Sequence, residues 1–173
     1  QLPLLLACSF AASFAQSMMN IALPQVADEF GVTLSTANWL VTGYMVVAAT
    51  SIALAAFLLR RLGLRTVFFI GCGALALGSG LALFAPNFWV LLAGRLVQAV
   101  CTGLFYSAVT SFIMANSDPA RRGTHLALNS GTVAAGLAVS PVVSGLVLTG
   151  FGRHALFALP LALAVLLLAV GFF

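Results

Sequence analysis

The sequence has very little charge and no lysine. Only seven arginines and three acidic residues, 6% of the 173 residues, carry a fixed charge. A soluble domain needs roughly a quarter of its surface residues charged, so this composition excludes one. The hydrophobic share is 62% and the mean hydropathy is +1.17. We therefore expect an integral membrane protein.

Residues for a disulfide framework, a metal site or a hydrolytic centre are also scarce. Cys8, Cys72 and Cys101 fall within apolar runs, where free thiols behave as small hydrophobic groups. The sequence contains no HExxH or GxSxG pattern and no paired acids within an apolar run. It therefore predicts neither an enzyme nor a bound cofactor or metal. Six of the seven arginines lie at or near the ends of apolar runs, which indicates membrane topology rather than nucleic-acid binding.

Long apolar runs make up most of the chain. A helix needs about 20 residues to cross the hydrocarbon core of a bilayer. Six runs qualify, at roughly 2–27, 34–59, 66–85, 88–115, 124–148 and 154–173. We number them spans 1 to 6 and expect the lipid bilayer to surround them.

The arginines are unevenly distributed among the connections. Five lie between spans 2 and 3 or between spans 4 and 5: Arg60, Arg61, Arg65, Arg121 and Arg122. Only Arg153 lies on the opposite side. The positive-inside bias makes the first side cytoplasmic, and an even number of spans then places both ends of the unit there. We expect a multi-pass protein of the plasma membrane, the inner membrane of a bacterium.

Polar side chains recur along one face of several spans. Span 4 contains Arg95, which at membrane depth costs at least a few kcal/mol unless it faces protein or water. Residues at spacings of 3, 7 and 11 share its helix face. We predict a substrate cavity lined by Gln16, Asn20, Arg95, Gln98, Thr102, Tyr106 and Asn129. The alternatives are hydrogen bonding between helices for the uncharged residues and snorkelling to the interface for Arg95.

Span 5 combines small residues with a proline. Gly136, Ser140 and Ser144 recur at four-residue spacing beside Pro141 and Gly145. Small residues let a second helix approach closely, and a proline frees a carbonyl and kinks a helix. We expect packing and bending here, with any gating role acting through that packing.

The chain divides near residues 85–87 into two units of similar length, 1–86 and 87–173. Each unit begins with a span that carries polar residues and ends with a span that has almost none and is expected to face lipid. Such halves are typical of the internal repeats of transporters. We predict one all-α membrane domain of six helices, built from two inverted three-helix repeats.

Five segments have a recognisable pattern: SMMNIALPQVADEF, ANWLVTGYMVV, LLRRLGLR, GRLVQAVCTG and AVSPVVSG. In that order they resemble motifs of the major facilitator superfamily, in particular the N-terminal six-helix half of its drug:proton antiporter branch. The matching positions are Arg61, Gly63 and Arg65 in the loop motif, Arg95 and Gln98 in span 4, and Ser140, Pro141, Ser144 and Gly145 in span 5. The resemblance implies alternating-access transport of small amphipathic molecules, with multidrug efflux by proton antiport expected. It also implies a second six-helix half, in the same chain or in a second copy.

The sequence departs from the family pattern at charged positions. Arg60 replaces the Asp of the loop motif, and Ala15 stands where many relatives carry an Asp in span 1. No span contains a carboxylate. Either the proton carrier lies outside these 173 residues, or Arg95 interacts with substrate charge without proton movement. Two other functions stay open: a non-transporting subunit or receptor-like relative, and a metabolite or sugar exporter of the same superfamily.

Overall fold

The computed structural model describes the backbone of residues 2–172 and the side chains of residues 2–150 and 155–171. Within that part the fold is all helical, as predicted. The helices are α1 Leu2–Ser17, α2 Met19–Phe30, α3 Leu34–Ala37, α4 Trp39–Leu83, α5 Phe88–Asn116 and α6 Arg122–Phe172. The end residues of the predicted repeats, Gln1 and Phe173, lie outside the described residues, and so does the side chain of Arg153.

The first span consists of two helices that meet at Met18. The N–H of Met18 still donates to the carbonyl of Phe14 at 3.1 Å, but α1 ends one residue earlier and α2 begins one residue later. α2 ends before Gly31, whose φ of 61° is the left-handed geometry that glycine readily adopts after a helix. Met18 keeps right-handed helical dihedral angles, with a φ of −58° and a ψ of −28°, so the break is a local interruption at which carbonyls of the last turn of α1 can accept from side chains.

The helix α4 contains two spans joined by a bend. Its 45 residues would extend about 68 Å if straight, more than twice the hydrocarbon thickness. Gly63 interrupts it with a φ of 78° and a ψ of 166°, a conformation that costs a residue with a Cβ more than it costs glycine. The segments on either side, 39–62 and 64–83, correspond to predicted spans 2 and 3.

The helix α6 also turns back on itself. Leu126 packs against the cluster that contains Leu5, and Leu167 lies in the cluster that contains Cys8. A straight helix would separate Leu126 and Leu167 by about 60 Å, yet both lie beside the first turns of α1. The direction of α6 therefore reverses between these two residues, as the connection between spans 5 and 6 requires.

Apolar length supports this assignment of spans. Among the described residues, four stretches are long and apolar enough to cross a membrane: Leu2–Phe30, Leu34–Leu83, Phe88–Asn116 and Arg122–Gly150. A shorter apolar helix covers Ala155–Gly171. Dividing α4 at Gly63 then gives the six passages that we interpret as spans 1 to 6. Their arrangement as two inverted repeats stays a prediction.

Glycines bring α5 into backbone contact with both parts of α4. A Cβ on Gly94 would lie 2.8 Å from the carbonyl oxygen of Gly78, and one on Gly103 would lie 2.7 Å from that of Ala48. Small residues permit this close approach in membrane helices. α5 is therefore surrounded by other helices, and Arg95 lies next to one of its contact points.

Apolar side chains are exposed on more spans than the two predicted to face lipid. Leu77 of span 3 and Leu166 of span 6 are 67% and 60% exposed, as expected. However, Val46 of span 2 and Val142 of span 5 are 59% and 64% exposed. The outer surface of this unit therefore includes spans 2 and 5 as well.

Candidate substrate site

Arg95 is fully buried between α5 and α1. Its Nη1 donates to the backbone carbonyl of Ala15 at 2.8 Å and to Oε1 of Gln98 at 2.8 Å. Its Nη2 donates to the carbonyl of Gln16 at 3.4 Å. The guanidinium thus points at the end of α1 rather than along α5 toward the interface.

Backbone carbonyls at the end of α1 solvate the guanidinium where a carboxylate would otherwise do so. Carbonyls in the last turn before an interruption can accept from side chains, but α2 follows at once and Met18 keeps helical dihedral angles, so the junction does not carry the full charge of a free helix C-terminus. Ala15 and Gln16 contribute two of these last carbonyls. The three acidic residues of the chain, Asp28, Glu29 and Asp118, lie at a helix end or in a connection. Arg95 therefore obtains its compensation from the backbone.

Tyr44 of α4 covers one face of the guanidinium. Cζ of Arg95 lies 4.3 Å from the centre of the Tyr44 ring. The Tyr44 hydroxyl shares a 2.5 Å hydrogen bond with Oγ1 of Thr102, and both side chains are 1% exposed. A cation over a desolvated aromatic face gains about 2 kcal/mol. Tyr44 lies in the segment ANWLVTGYMVV that resembles a family motif, but it was not among the predicted cavity residues, because its place in the motif does not reveal its partner.

Gln98 connects the guanidinium to α4. Its Oε1 accepts from Arg95, and its Nε2 donates to Oγ of Ser79 at 2.7 Å. All three side chains are fully buried. Nε of Arg95 has no hydrogen-bond partner within the described part of the chain. Ser79, in the nearly apolar span 3, is a second member of the cluster that the sequence did not indicate.

The polar cluster extends from this buried centre toward the surface. The hydroxyl of Tyr106 donates to Oε1 of Gln16 at 3.4 Å, and both residues are partly exposed. Gln16 and Tyr106 thus form the partly exposed edge of the cluster, whereas Arg95 and Gln98 are enclosed in this arrangement of helices.

The structure brings together five of the seven predicted cavity residues: Gln16, Arg95, Gln98, Thr102 and Tyr106. Asn20 is exposed on α2. Asn129 belongs to α6 and contacts α1, where its Oδ1 accepts a hydrogen bond from Oγ of Ser9 at 2.7 Å. The cavity role of all seven residues stays a prediction.

The small residues of span 5 pack against α1. A Cβ on Gly136 would collide with Oγ of Ser13, and Oγ of Ser140 donates to the carbonyl of Phe14 at 2.9 Å. Ser144 is buried, and its hydroxyl has no hydrogen-bond partner among the described residues. Two members of the predicted set behave differently: α6 continues through the partly buried Pro141, and a Cβ on Gly145 would meet nothing within 4 Å.

The arginines of the loop motif lie at the bend of α4. Cζ of Arg61 is 5.2 Å from the centre of the Phe57 ring, and Cζ of Arg65 is 6.0 Å from that of Phe69. Both arginines are exposed on either side of Gly63. Leu64 and Leu126 pack against the same cluster. This bend therefore lies at the same end of the bundle as the connection between α5 and α6.

Several apolar helices around a buried polar centre define a polytopic helical membrane protein. The sequence profile of the Major Facilitator Superfamily matches residues 5–173, and the chain belongs to this superfamily of transporters. The prediction of the superfamily is confirmed, and so is the prediction of a transporter rather than an enzyme.

Similar proteins include transporters named for drug resistance. The chain is 34% identical to the uncharacterized MFS-type transporter YhcA of Bacillus subtilis over 98% of its length. It is 33% identical to the lincomycin resistance protein LmrB of Bacillus subtilis over 96% of the length of this chain. It is 31% identical to the methylenomycin A resistance protein of Streptomyces coelicolor over 93% of the length of this chain. The matches cover 32%, 35% and 34% of these relatives, so the chain spans about a third of their length.

Solved structures agree with the fold. The crystal structure of the peptide transporter POT in complex with alafosfalin aligns with 99% of this chain and with 37% of the chain of POT. The TM-score is 0.86 and the sequence identity is 19%. The crystal structure of a D-xylose–proton symporter aligns with 99% of this chain and with 47% of the chain of the symporter. The TM-score is 0.82 and the sequence identity is 14%. At these identities the likeness concerns the fold alone.

Proposed function

We propose that this chain forms one six-helix half of an alternating-access transporter that exports small amphipathic organic molecules. The observation that carries the proposal is the broken first span, whose carbonyls bind the buried Arg95 beside the partly open Gln16–Tyr106 pair. Interrupted membrane helices whose backbone carbonyls accept from groups outside the helix are typical of transporter sites. The relatives named for lincomycin and methylenomycin A resistance support an amphipathic organic substrate.

In this proposal the residues have two roles. Gln16, Asn20 and Tyr106 contact the substrate, since they are the exposed or partly exposed polar residues near the break. Apolar and aromatic surroundings with a few amides suit loose recognition of such molecules. Arg95 and Gln98 fix the end of α1 from behind and become accessible only when the helices move.

A second six-helix half is part of the same proposal. The exposed side of α6 supports it, because a groove of about 540 Å³ runs along its first half. The residues that line this groove are Thr124, Ala127, Leu128, Gly131, Thr132 and Ala135. Small residues of this kind allow close helix approach. We propose that the second half, in the same chain or in a second copy, packs against spans 2 and 5.

Proton antiport and orientation complete the proposal. A proton carrier is expected in the second half, because the carboxylates of this chain lie at helix ends and in connections. The arginine-rich bend of α4 and the connection between α5 and α6 share one end of the bundle, which supports a cytoplasmic location for that end in a bacterial plasma membrane. Both ends of the six-span unit are then cytoplasmic.

Reconstitution of the full-length protein tests the function. Uptake of lincomycin and ethidium into inside-out proteoliposomes is measured with an imposed pH gradient, acidic inside, and D-xylose is the matched control substrate. We expect uptake of the two amphipathic compounds above that of empty liposomes, and its loss when a protonophore is added. Binding without uptake would favour the non-transporting alternative, and uptake of D-xylose alone would favour a sugar exporter.

A further inference from the structure

Three consecutive carbonyls at the end of α1 accept hydrogen bonds from side chains of two other helices. Arg95 of α5 donates to the carbonyls of Ala15 and Gln16. Ser140 of α6 donates to the carbonyl of Phe14 at 2.9 Å, and Ser140 is fully buried. The interruption at Met18 follows after one further residue, Ser17. The end of α1 is thus hydrogen-bonded from two sides.

We propose that Ser140 is a positioning residue for Arg95. By fixing the carbonyl of Phe14, Ser140 orients the last turn of α1 so that the next two carbonyls face the guanidinium. Ser140 touches no substrate in this proposal and acts only through α1. The proposal rests on the proposed function only in that the position of Arg95 matters for transport.

Close packing of α6 on α1 makes this contact possible. A Cβ on Gly136, one turn before Ser140, would lie 3.0 Å from the carbonyl oxygen of Phe10 and would collide with Ser13. Only a glycine there lets the backbones approach so closely. The short side chain of Ser140 can then reach a backbone carbonyl of the neighbouring helix.

Ser144 shows that the contact is not a general property of buried serines in this helix. It lies one turn after Ser140 and is equally buried, but its hydroxyl has no partner within the described part of the chain. The two serines therefore provide a matched pair: the same residue type and burial, with and without a hydrogen bond to α1.

The proposal predicts energetic coupling between Ser140 and Arg95. If both fix the same turn of α1, loss of one loosens the geometry that the other needs, and the effects of the two substitutions are not additive. If Ser140 served packing alone, the two effects would add.

A double-mutant cycle in the full-length protein in nanodiscs tests this coupling. The variants are Ser140→Ala, Arg95→Gln and their combination, with Ser144→Ala alone and combined with Arg95→Gln as controls. The first readout is amide hydrogen exchange in the peptide that spans residues 15–24, which reports local opening at the break. The second readout is lincomycin uptake, with the maximal rate and the KM measured separately.

We expect Ser140→Ala to speed exchange about fivefold to tenfold, the scale of one lost hydrogen bond. The maximal rate of uptake should fall while the KM stays unchanged, and Ser140→Ala should add little in the Arg95→Gln background. Ser144→Ala should change exchange and uptake by less than about twofold. Ser140→Thr, which keeps the hydroxyl, should restore most of the protection.

Additive effects on exchange, or equal effects of Ser140→Ala and Ser144→Ala, would overturn the proposal. If Ser140→Ala does not fold, the hydrogen exchange of residues 15–24 in Ser140→Thr decides instead. Exchange in folded Ser140→Thr that is much faster than in wild type would count against the proposal. Hydrogen exchange needs no substrate. A wild-type protein that does not move lincomycin would therefore contradict the proposed function and leave this test intact.

Discussion

Substitution of Tyr44 measures how much an aromatic face contributes to a buried guanidinium that has no carboxylate partner among the described residues. In Tyr44→Phe the ring over Arg95 remains, and only the hydrogen bond to Thr102 is lost. That bond is worth about 1 kcal/mol. In Tyr44→Leu the cation–π attraction of about 2 kcal/mol is lost as well, and the smaller side chain leaves a packing defect of about 1 kcal/mol. We therefore expect destabilisation by about 1 kcal/mol for phenylalanine and about 4 kcal/mol for leucine.

The assay is the free energy of unfolding of the full-length protein in bicelles, measured by steric trapping. Tyr106→Phe is the control, because Tyr106 is partly exposed and the hydrogen bond from its hydroxyl to Gln16 is long, at 3.4 Å. We expect it to cost less than about 0.5 kcal/mol. In an Arg95→Gln background the cation is absent. The difference in unfolding free energy between Tyr44→Phe and Tyr44→Leu should therefore be smaller by the cation–π contribution of about 2 kcal/mol. Equal destabilisation by phenylalanine and leucine in the wild-type background would refute the role of the ring.

Two further predictions concern glycines. Gly103→Ala should separate α5 from α4 and destabilise the protein by about 1–3 kcal/mol, because its Cβ would lie 2.7 Å from the carbonyl oxygen of Ala48. Gly73→Ala is the control, because a Cβ there would meet nothing within 4 Å, and we expect no change in its free energy of unfolding. Steric trapping compares the two variants. Equal destabilisation by both would contradict the close approach of α5 and α4. Gly63→Ala places a Cβ at a φ of 78° and a ψ of 166° and should cost about 1–3 kcal/mol, even though that Cβ would meet nothing within 4 Å. Gly123→Ala, at an equally open position on a helix, is the control, and the absence of any difference in unfolding free energy would contradict the bend.

Hydropathy and periodicity predicted much of the fold because both follow from local sequence. Apolar runs predicted where the helices lie, since a bilayer requires long uninterrupted helices. The 3.6-residue period placed Gln98 and Thr102 on the face of α5 that carries Arg95, and the structure joins all three in one polar cluster. The bend at Gly63 falls within the loop motif, where glycine and neighbouring arginines indicated a connection.

The break in span 1 could not be predicted in the same way. Pro24 is the residue of span 1 at which a bend would be expected from residue type alone, but α2 continues through that proline and the helical hydrogen bonding is interrupted at Met18 instead. No glycine or proline stands at the break. Its carbonyls are bound by Arg95 from a helix 80 positions away, and contacts of this kind leave no local signal. The same reason explains why Tyr44 and Ser79 were missed.

Substrate flux after replacement of Arg95 tests the central claim most directly. Lincomycin uptake by Arg95→Gln is compared with wild type in proteoliposomes that contain equal amounts of folded full-length protein. Removal of a buried charge-assisted contact that fixes the end of α1 should lower the rate at least about tenfold, while circular dichroism shows the same helix content. Uptake within about twofold of wild type would contradict the claim that the guanidinium bound by the broken first span is required for transport.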